Sequence, residues 1–146
     1  MVSNLKKYKE KRKFSVTSEP RGRIKKTGKS RFVVQRHDAS HLHYDFRLEI
    51  DGVLKSWAVP KGPPEVGGVK RLAVAVEDHP VDYIDFEGKI PEGEYGAGTV
   101  KIWDKGKFVL KERTEKAMKF ELLGKKLKGD YALINFKEKN WLLYKI

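Results

Sequence analysis

The eleven residues HDASHLHYDFR, 37 to 47, hold three of the chain's four histidines together with two aspartates and an arginine. In an extended strand alternate side chains point the same way. Applied to HYDFRLEI (43–50), that rule puts Tyr44, Phe46, Leu48 and Ile50 on one face, and His43, Asp45, Arg47 and Glu49 on the other. The apolar set can anchor the strand in a core while the ionisable set lines one surface. A merely solvated face would use Ser, Thr or Lys more often, so this composition points to a site.

His43 and Asp45 stand as imidazole and carboxylate ligands for one divalent ion. His37, at the end of the preceding strand, is placed to supply a third ligand. Two imidazoles and one carboxylate leave positions open for water and substrate, the arrangement of a catalytic rather than a structural site. Such a set suits Mn²⁺, Fe²⁺ or Zn²⁺. Arg47 extends the same face beyond Asp45. A guanidinium beside a metal points to an anionic substrate, because Arg grips phosphate through two parallel donors. Asp38 and His41 fall in the connecting turn, where capping or turn stabilisation is their expected duty.

The fourth histidine, His79, stands in VEDHPVDY directly before Pro80, where a strand gives way to a loop. It can donate to a phosphate oxygen or act as a general acid; taken alone it reads as a turn histidine. Alternation places Ala73, Ala75, Glu77 and His79 on one face, opposite Leu72, Val74 and Val76, with the small alanines leaving room for a ligand. A competing reading takes His43, Asp45 and His79 as H-x-D…H, the facial triad of iron oxygenases. It leaves His37, Arg47 and the basic N-terminal block without roles, and only Lys89 would anchor a 2-oxoacid. Gly93, Gly96 and Gly98 of PEGEYGAGTV read as turn glycines, since no Walker lysine or helix follows them. Trp57, Trp103 and Trp141 read as core. Ser40 has no base and orienter in its spacing, so it is not taken as a nucleophile.

The elements that must position these groups are short strands. RFVVQRH (31–37), HYDFRLEI (43–50) and VLKSWAV (53–59) come first, with Asp51-Gly52 as a two-residue hairpin turn. RLAVAVE (71–77) follows, and Lys61 and Arg71 flank the loop between. The stretch from Asp78 to Gly98 reads as irregular. TVKIW (99–103) and KFVLKE (107–112) are expected to form a hairpin around Asp104-Lys105-Gly106. MKFELL (118–123), DYALINF (130–136) and WLLYKI (141–146) close the chain, and ERTEKAMKF is expected to carry a turn or two of helix. Eight or nine short strands predict an all-β fold, a small barrel or sandwich.

Composition narrows the classes. A chain of 146 residues reads as one domain that can bury a core. It has no cysteine, which excludes disulfides, zinc–thiolate sites and thiol nucleophiles. No stretch approaches a membrane span and no signal peptide is evident, so a cytoplasmic protein is expected. Of the net charge of +12, residues 1–31 hold +10, with twelve Lys/Arg against Glu10 and Glu19. The segment 1–30 is therefore expected to be a basic, partly flexible arm that seeks nucleic-acid phosphates, with 31–146 as the folded domain.

The blocks FVVQRHDASHLHYDFRLEIDGVLKSWAVPKGP, RLAVAVEDHPVDYIDFEGKIPEGEYGAGTVKIWD and LINFKEKNWLLYKI strongly resemble the 3′-phosphoesterase domain of bacterial DNA ligase D. The resemblance runs from about Phe14 to the end and looks like the free-standing form. It implies a compact single-domain β-barrel of about eight strands with little helix. It also implies an Mn²⁺-dependent enzyme that heals DNA or RNA–DNA 3′ ends in end-joining repair, alongside a separate ligase and polymerase. Such enzymes remove a terminal 3′ ribonucleoside and then the remaining 3′-phosphate to leave a 3′-hydroxyl. By position, His37, His43 and Asp45 would hold the metal, and Arg47 and His79 would contact the scissile phosphate. Glu77, Gln35, Lys61, Arg71 and Tyr83 match further active-site positions. Arg12 and Glu19 fall in RKFSVTSEP, which is similar to the family's nucleic-acid-contacting RDFxxTxEP stretch, with Lys13 replacing its acid. A non-catalytic nucleic-acid-binding barrel is the alternative that the basic arm also suits.

Overall fold

The computed structural model describes residues 5–146, so the first four residues of the expected arm lie outside the described residues. Strands β1 (Arg31–Asp38), β2 (Leu42–Ile50), β3 (Val53–Val59) and β4 (Lys70–Pro80) follow one another as antiparallel neighbours. They form where β-branched and aromatic residues recur at alternate positions. Asp51 and Gly52 turn β2 into β3 with φ of 57° and 78°, as a two-residue hairpin of matching twist requires.

After β5 (Gly88–Ile90) come β6 (Gly98–Arg113), β7 (Ala117–Leu123), β8 (Lys128–Lys137) and β9 (Asn140–Lys145). The sheet order is β1-β2-β3-β4-β9-β8-β7-β6-β5, and β1 also pairs with β6. That last pairing closes eight strands into an antiparallel barrel and leaves the short β5 outside the ring, against β6. This is the all-β barrel the sequence predicts. Inside it, Phe32, Phe46, Trp57, Phe120, Tyr131 and Leu143 meet from different strands in one apolar cluster. Each such side chain contributes about 1.5–3 kcal/mol by leaving water.

A second apolar layer lies on the outside of the wall. Val33 and Leu54 belong to it, and they are covered by Tyr8, Tyr83, Ile84, Phe86 and Ile90. Tyr8 sits on α1 (Lys6–Glu10), and Tyr83 and Ile84 on a 3₁₀ turn, Val81–Asp85. This cover keeps the middle of the outward face of β2 dry, with Asp45 and Arg47 only 6% and 3% exposed.

Four local expectations are corrected. The predicted hairpin at 99–112 is the single sixteen-residue strand β6. Asp104 does not turn the chain, because its carboxylate accepts the backbone N–H groups of Lys125, Lys126 and Leu127 at 2.9, 3.2 and 2.8 Å. Strand β1 pairs straight across Asp104, Lys105 and Gly106. ERTEKAMKF is not helical; it ends β6, turns with Thr114 N–H on the Ala117 carbonyl at 2.8 Å, and enters β7. There Met118, Phe120 and Leu122 are buried at alternate positions, which only a strand provides. The stretch from Asp78 holds the end of β4, the 3₁₀ turn and β5. Finally, Ala73 and Ala75 face the barrel interior beside Trp57 and make no room for a ligand.

Candidate active site

Pairing of β1 with β2 sets His37 directly opposite His43 and Gln35 opposite Asp45. The histidine rings lie 4.7 Å apart. Asp45 follows one pleat along β2 on the same face, and the ligating atoms of His37, His43 and Asp45 all lie within 4.8 Å of one another. The His37 Nε2 hydrogen is donated to the Gly96 carbonyl at 2.6 Å, and the His43 Nδ1 hydrogen to the His41 carbonyl at 3.1 Å. A carbonyl can only accept, so these bonds fix both tautomers. The remaining nitrogens turn their lone pairs to Asp45, His37 Nδ1 at 3.5 Å and His43 Nε2 at 3.3 Å.

Burial alone would push the Asp45 carboxyl up. The Arg47 guanidinium, with the hydrogen bonds that His37 and His43 donate when those nitrogens carry a proton, outweighs it and holds the group well below the usual carboxylate range. In turn the bond to Asp45 raises the His43 pKa against the opposing effect of its burial. Three electron-pair donors thus converge, and the cations near them are the Arg47 guanidinium beside Asp45 and a proton that His43 can take up. A divalent ion fits this donor set, and outer bonds from ligand imidazoles to carbonyls are what metal sites use to hold their rings.

Arg47 is fixed behind Asp45. Its Nε donates to Gln35 Oε1 at 2.7 Å and its Nη2 lies 3.4 Å from Asp45 Oδ2. Gln35 is itself locked, donating Nε2 to the Tyr83 and Phe86 carbonyls at 2.8 and 3.1 Å. The guanidinium stands 4.9 Å over the Tyr83 ring. Its Nη1 is buried with no hydrogen-bond partner among the described residues, a state proteins avoid unless a ligand or water completes it.

A second cation enters from the N-terminal segment. Arg12 Nε pairs with Glu19 at 2.9 Å, Nη1 donates to the Tyr8 carbonyl at 3.1 Å, and Nη2 lies 3.3 Å from His79 Nε2. Glu19 also accepts from the Tyr83 hydroxyl at 2.6 Å and from Thr17 Oγ1 at 3.0 Å. His79 Nδ1 donates to the Glu77 carbonyl at 3.0 Å, so its Nε2 accepts from Arg12. Burial, with Arg47 and Arg12 nearby, pushes the His79 pKa well below its ordinary value and keeps the ring neutral. Glu77 is held by Lys11 at 3.0 Å and lies 3.6 Å from Arg12 Nη1.

These groups bound a cavity of about 310 Å³ on the outer wall of the barrel. Residues 35–135 match the sequence profile of the DNA Ligase D 3′-phosphoesterase domain. The chain belongs to this family. It is 54% identical over 153 residues to the multifunctional non-homologous end joining protein LigD of Pseudomonas aeruginosa, a match covering 97% of this chain and 18% of that protein. It is 46% identical over 159 residues to the LigD of Mycolicibacterium smegmatis, covering 100% of this chain and 21% of that protein. Against the multifunctional non-homologous end joining DNA repair protein LigD of Mycobacterium tuberculosis, identity is 43% over 152 residues, covering 100% and 20%. The chain therefore spans about a fifth of the length of these relatives.

Within this 3′-phosphoesterase-family cavity the structure gathers Arg12, His37, His43, Asp45, Arg47, Glu77, His79 and Tyr83. Gln35 and Glu19 stand behind it as buried supports. Lys61 and Arg71 do not line it; Lys61 is exposed, and Arg71 Nη1 donates to the Lys61 and Gly62 carbonyls. The oxygenase triad does not assemble, because His79 faces Arg12 and the converging ligands among the described residues are His37, His43 and Asp45.

Sequence alternation also put His79 on the face of Ala73 and Ala75. A bulge moves it: Leu54 pairs with His79 but Ser56 with Val76, so Glu77 and Asp78 together oppose Lys55. Val76, Glu77 and His79 all reach the cavity as a result. Tyr8, Lys11, Tyr95 and the Gly96 carbonyl were not found from sequence. Their one visible signal was Tyr8, the only aromatic residue in the first thirteen.

Proposed function

We propose that this chain is an Mn²⁺-dependent hydrolase of phosphoesters at DNA or RNA–DNA 3′ ends. It removes a 3′-terminal ribonucleoside as a phosphodiesterase and then the 3′-phosphate as a phosphomonoesterase, leaving a 3′-hydroxyl. The observation that carries this reading is Arg47 Nη1, a buried donor with no partner among the described residues, standing beside the converging donors of His37, His43 and Asp45. Such a pairing suits an ester that brings anionic oxygens of its own.

A divalent ion held by His37, His43 and Asp45 would supply Lewis-acid polarisation and a lowered pKa for coordinated water. The chain's own residues do the rest. Arg47, oriented by Gln35, presents Nη1 to a non-bridging phosphate oxygen and neutralises charge that spreads over the phosphoryl group in the transition state. Arg12, held by Glu19, adds a second guanidinium at the same cavity. His79 positions Arg12 through Nε2 and becomes a donor to phosphate only when it takes up a proton. Tyr83 shields the face of Arg47 from water.

The segment up to residue 30 contributes Arg12 and Glu19, and the barrel, 31–146, contributes the ligands. The relatives are named as multifunctional end-joining proteins, which supports placing this activity in DNA end joining with a ligase and a polymerase as partners. No helix among the described residues is long and apolar enough to cross a membrane, and we place the enzyme in the cytoplasm.

The test is a panel of Mn²⁺, Zn²⁺ and Mg²⁺ against primer–templates ending in a ribonucleotide or a 3′-phosphate. The reading expects phosphate release from the second substrate with Mn²⁺ and its loss in His43→Ala. A folded protein that releases neither nucleoside nor phosphate with any ion overturns it and leaves a binding barrel.

A further inference from the structure

A second cleft, of about 450 Å³, opens farther along the outward face of β2. Lys25, Lys26, Lys29, Glu49 and Arg113 contribute to its walls. The basic segment here is held in place rather than loosely tethered. Lys25 N–H donates to the Gly52 carbonyl at 2.8 Å, Thr27 Oγ1 to Glu49 Oε2 at 2.7 Å, and Lys29 N–H to Thr27 Oγ1 at 3.1 Å. Gly52 lets Ile24 lie close, since a Cβ there would meet Ile24 at 2.8 Å.

Charge in the cleft is unevenly paired. Arg31 takes both oxygens of Glu49, at 2.7 and 3.1 Å, so the one buried carboxylate is already neutralised. Lys25 pairs with Asp82 at 3.7 Å and Arg113 with Asp51 at 3.1 Å. Lys26 and Lys29 are exposed and have no carboxylate partner among the described residues. Two cations are thus presented by a pinned backbone with no carboxylate among the described residues to meet them.

We propose that this cleft is a second phosphate subsite, gripping the nucleic-acid backbone upstream of the 3′ end that enters the catalytic cavity. It rests on the proposed function and extends it. Asp45 and Glu49 share one face of β2 four residues apart, about 13 Å at the rise of a strand. Nucleic acid rises about 3.4 Å per nucleotide along each strand. A strand also winds by about a tenth of a turn per nucleotide, so a direct span of about 13 Å covers roughly two phosphate steps, and the cleft meets the backbone about two steps from the reacting end.

Binding is read by fluorescence anisotropy with a primer–template ending in a 3′-hydroxyl, which offers nothing to hydrolyse, in Mn²⁺. The Lys26→Ala/Lys29→Ala variant is expected to bind roughly tenfold more weakly at 0.1 M salt, with a log–log salt slope shallower by about 1.8. Its kcat on a saturating 3′-phosphate primer stays at the wild-type value. A duplex carrying uncharged methylphosphonate linkages at the second and third positions from the 3′ end should show the same loss with wild-type protein, and no further loss with the variant. An unchanged salt slope, or equal wild-type affinity for the charged and the neutralised duplex, overturns the subsite. Absence of turnover on every 3′ end would instead overturn the enzymatic reading, and it is scored in a separate assay.

Discussion

The two faces of β2 bury their residues almost equally and use that burial differently. Inward, Phe46 and Leu48 are fully buried among apolar neighbours from the rest of the ring. Outward, Asp45 and Arg47 are nearly as dry, yet each is tied to named partners at defined distances. Contacts on the inner face are non-directional, so another apolar group of similar volume serves nearly as well. On the outer face a group must match a partner in charge, donor count and direction, and isosteric loss is felt at once. The barrel can therefore drift on one side of a strand while the other side is fixed by chemistry.

The largest expected effect lies on the outer face. Asp45→Ala should lower Mn²⁺-supported phosphate release by roughly 10³-fold or more; a variant keeping a tenth of wild-type kcat would break the contrast between the faces. Next comes the inner face. Phe46→Ala should cost about 3–5 kcal/mol in denaturant unfolding, while the folded fraction keeps its kcat. Arg47→Lys keeps the charge and loses the planar fork. It should reduce kcat by roughly 10²-fold with Mn²⁺ affinity, measured by calorimetry, close to that of the wild type.

The smallest effect is one of pH. His79 is held neutral in the fold, with its pKa well below the ordinary value, whereas in the unfolded chain it titrates near about 6.5. Below that pH the unfolded state binds the extra proton, so stability falls as pH falls. His79→Gln should flatten this decline in denaturation curves taken between pH 7 and 5. An unchanged slope would mean that the ring is protonated in place.

Much of this contrast was legible in the sequence because β2 alternates strictly and its partner β1 ends on His37. Tertiary pairing hid the rest. Asp104-Lys105-Gly106 has the composition of a turn, and what keeps it extended is β1 on one side and three backbone N–H groups from residues 125–127 around the Asp104 carboxylate. The bulge at Glu77-Asp78 shifts which residues share a face, and alternation has no means of foreseeing it. From composition the N-terminal segment reads as a basic, partly flexible arm that seeks phosphates, with no sign of what anchors it. Yet Tyr8 is fully buried, donates its hydroxyl to the Pro20 carbonyl, and brings Arg12 to the cavity.

Both ring supports in the ligand set are main-chain oxygens, from Gly96 and His41. Such supports survive when the side chain that carries them is exchanged. The exposed imidazole of His41 can thus be exchanged at little cost to the ligand set, since the path of the polypeptide through that corner is what holds His43. A change in the length of the 38–42 or 93–97 corner should therefore unseat a ligand ring where exchange of the His41 side chain does not.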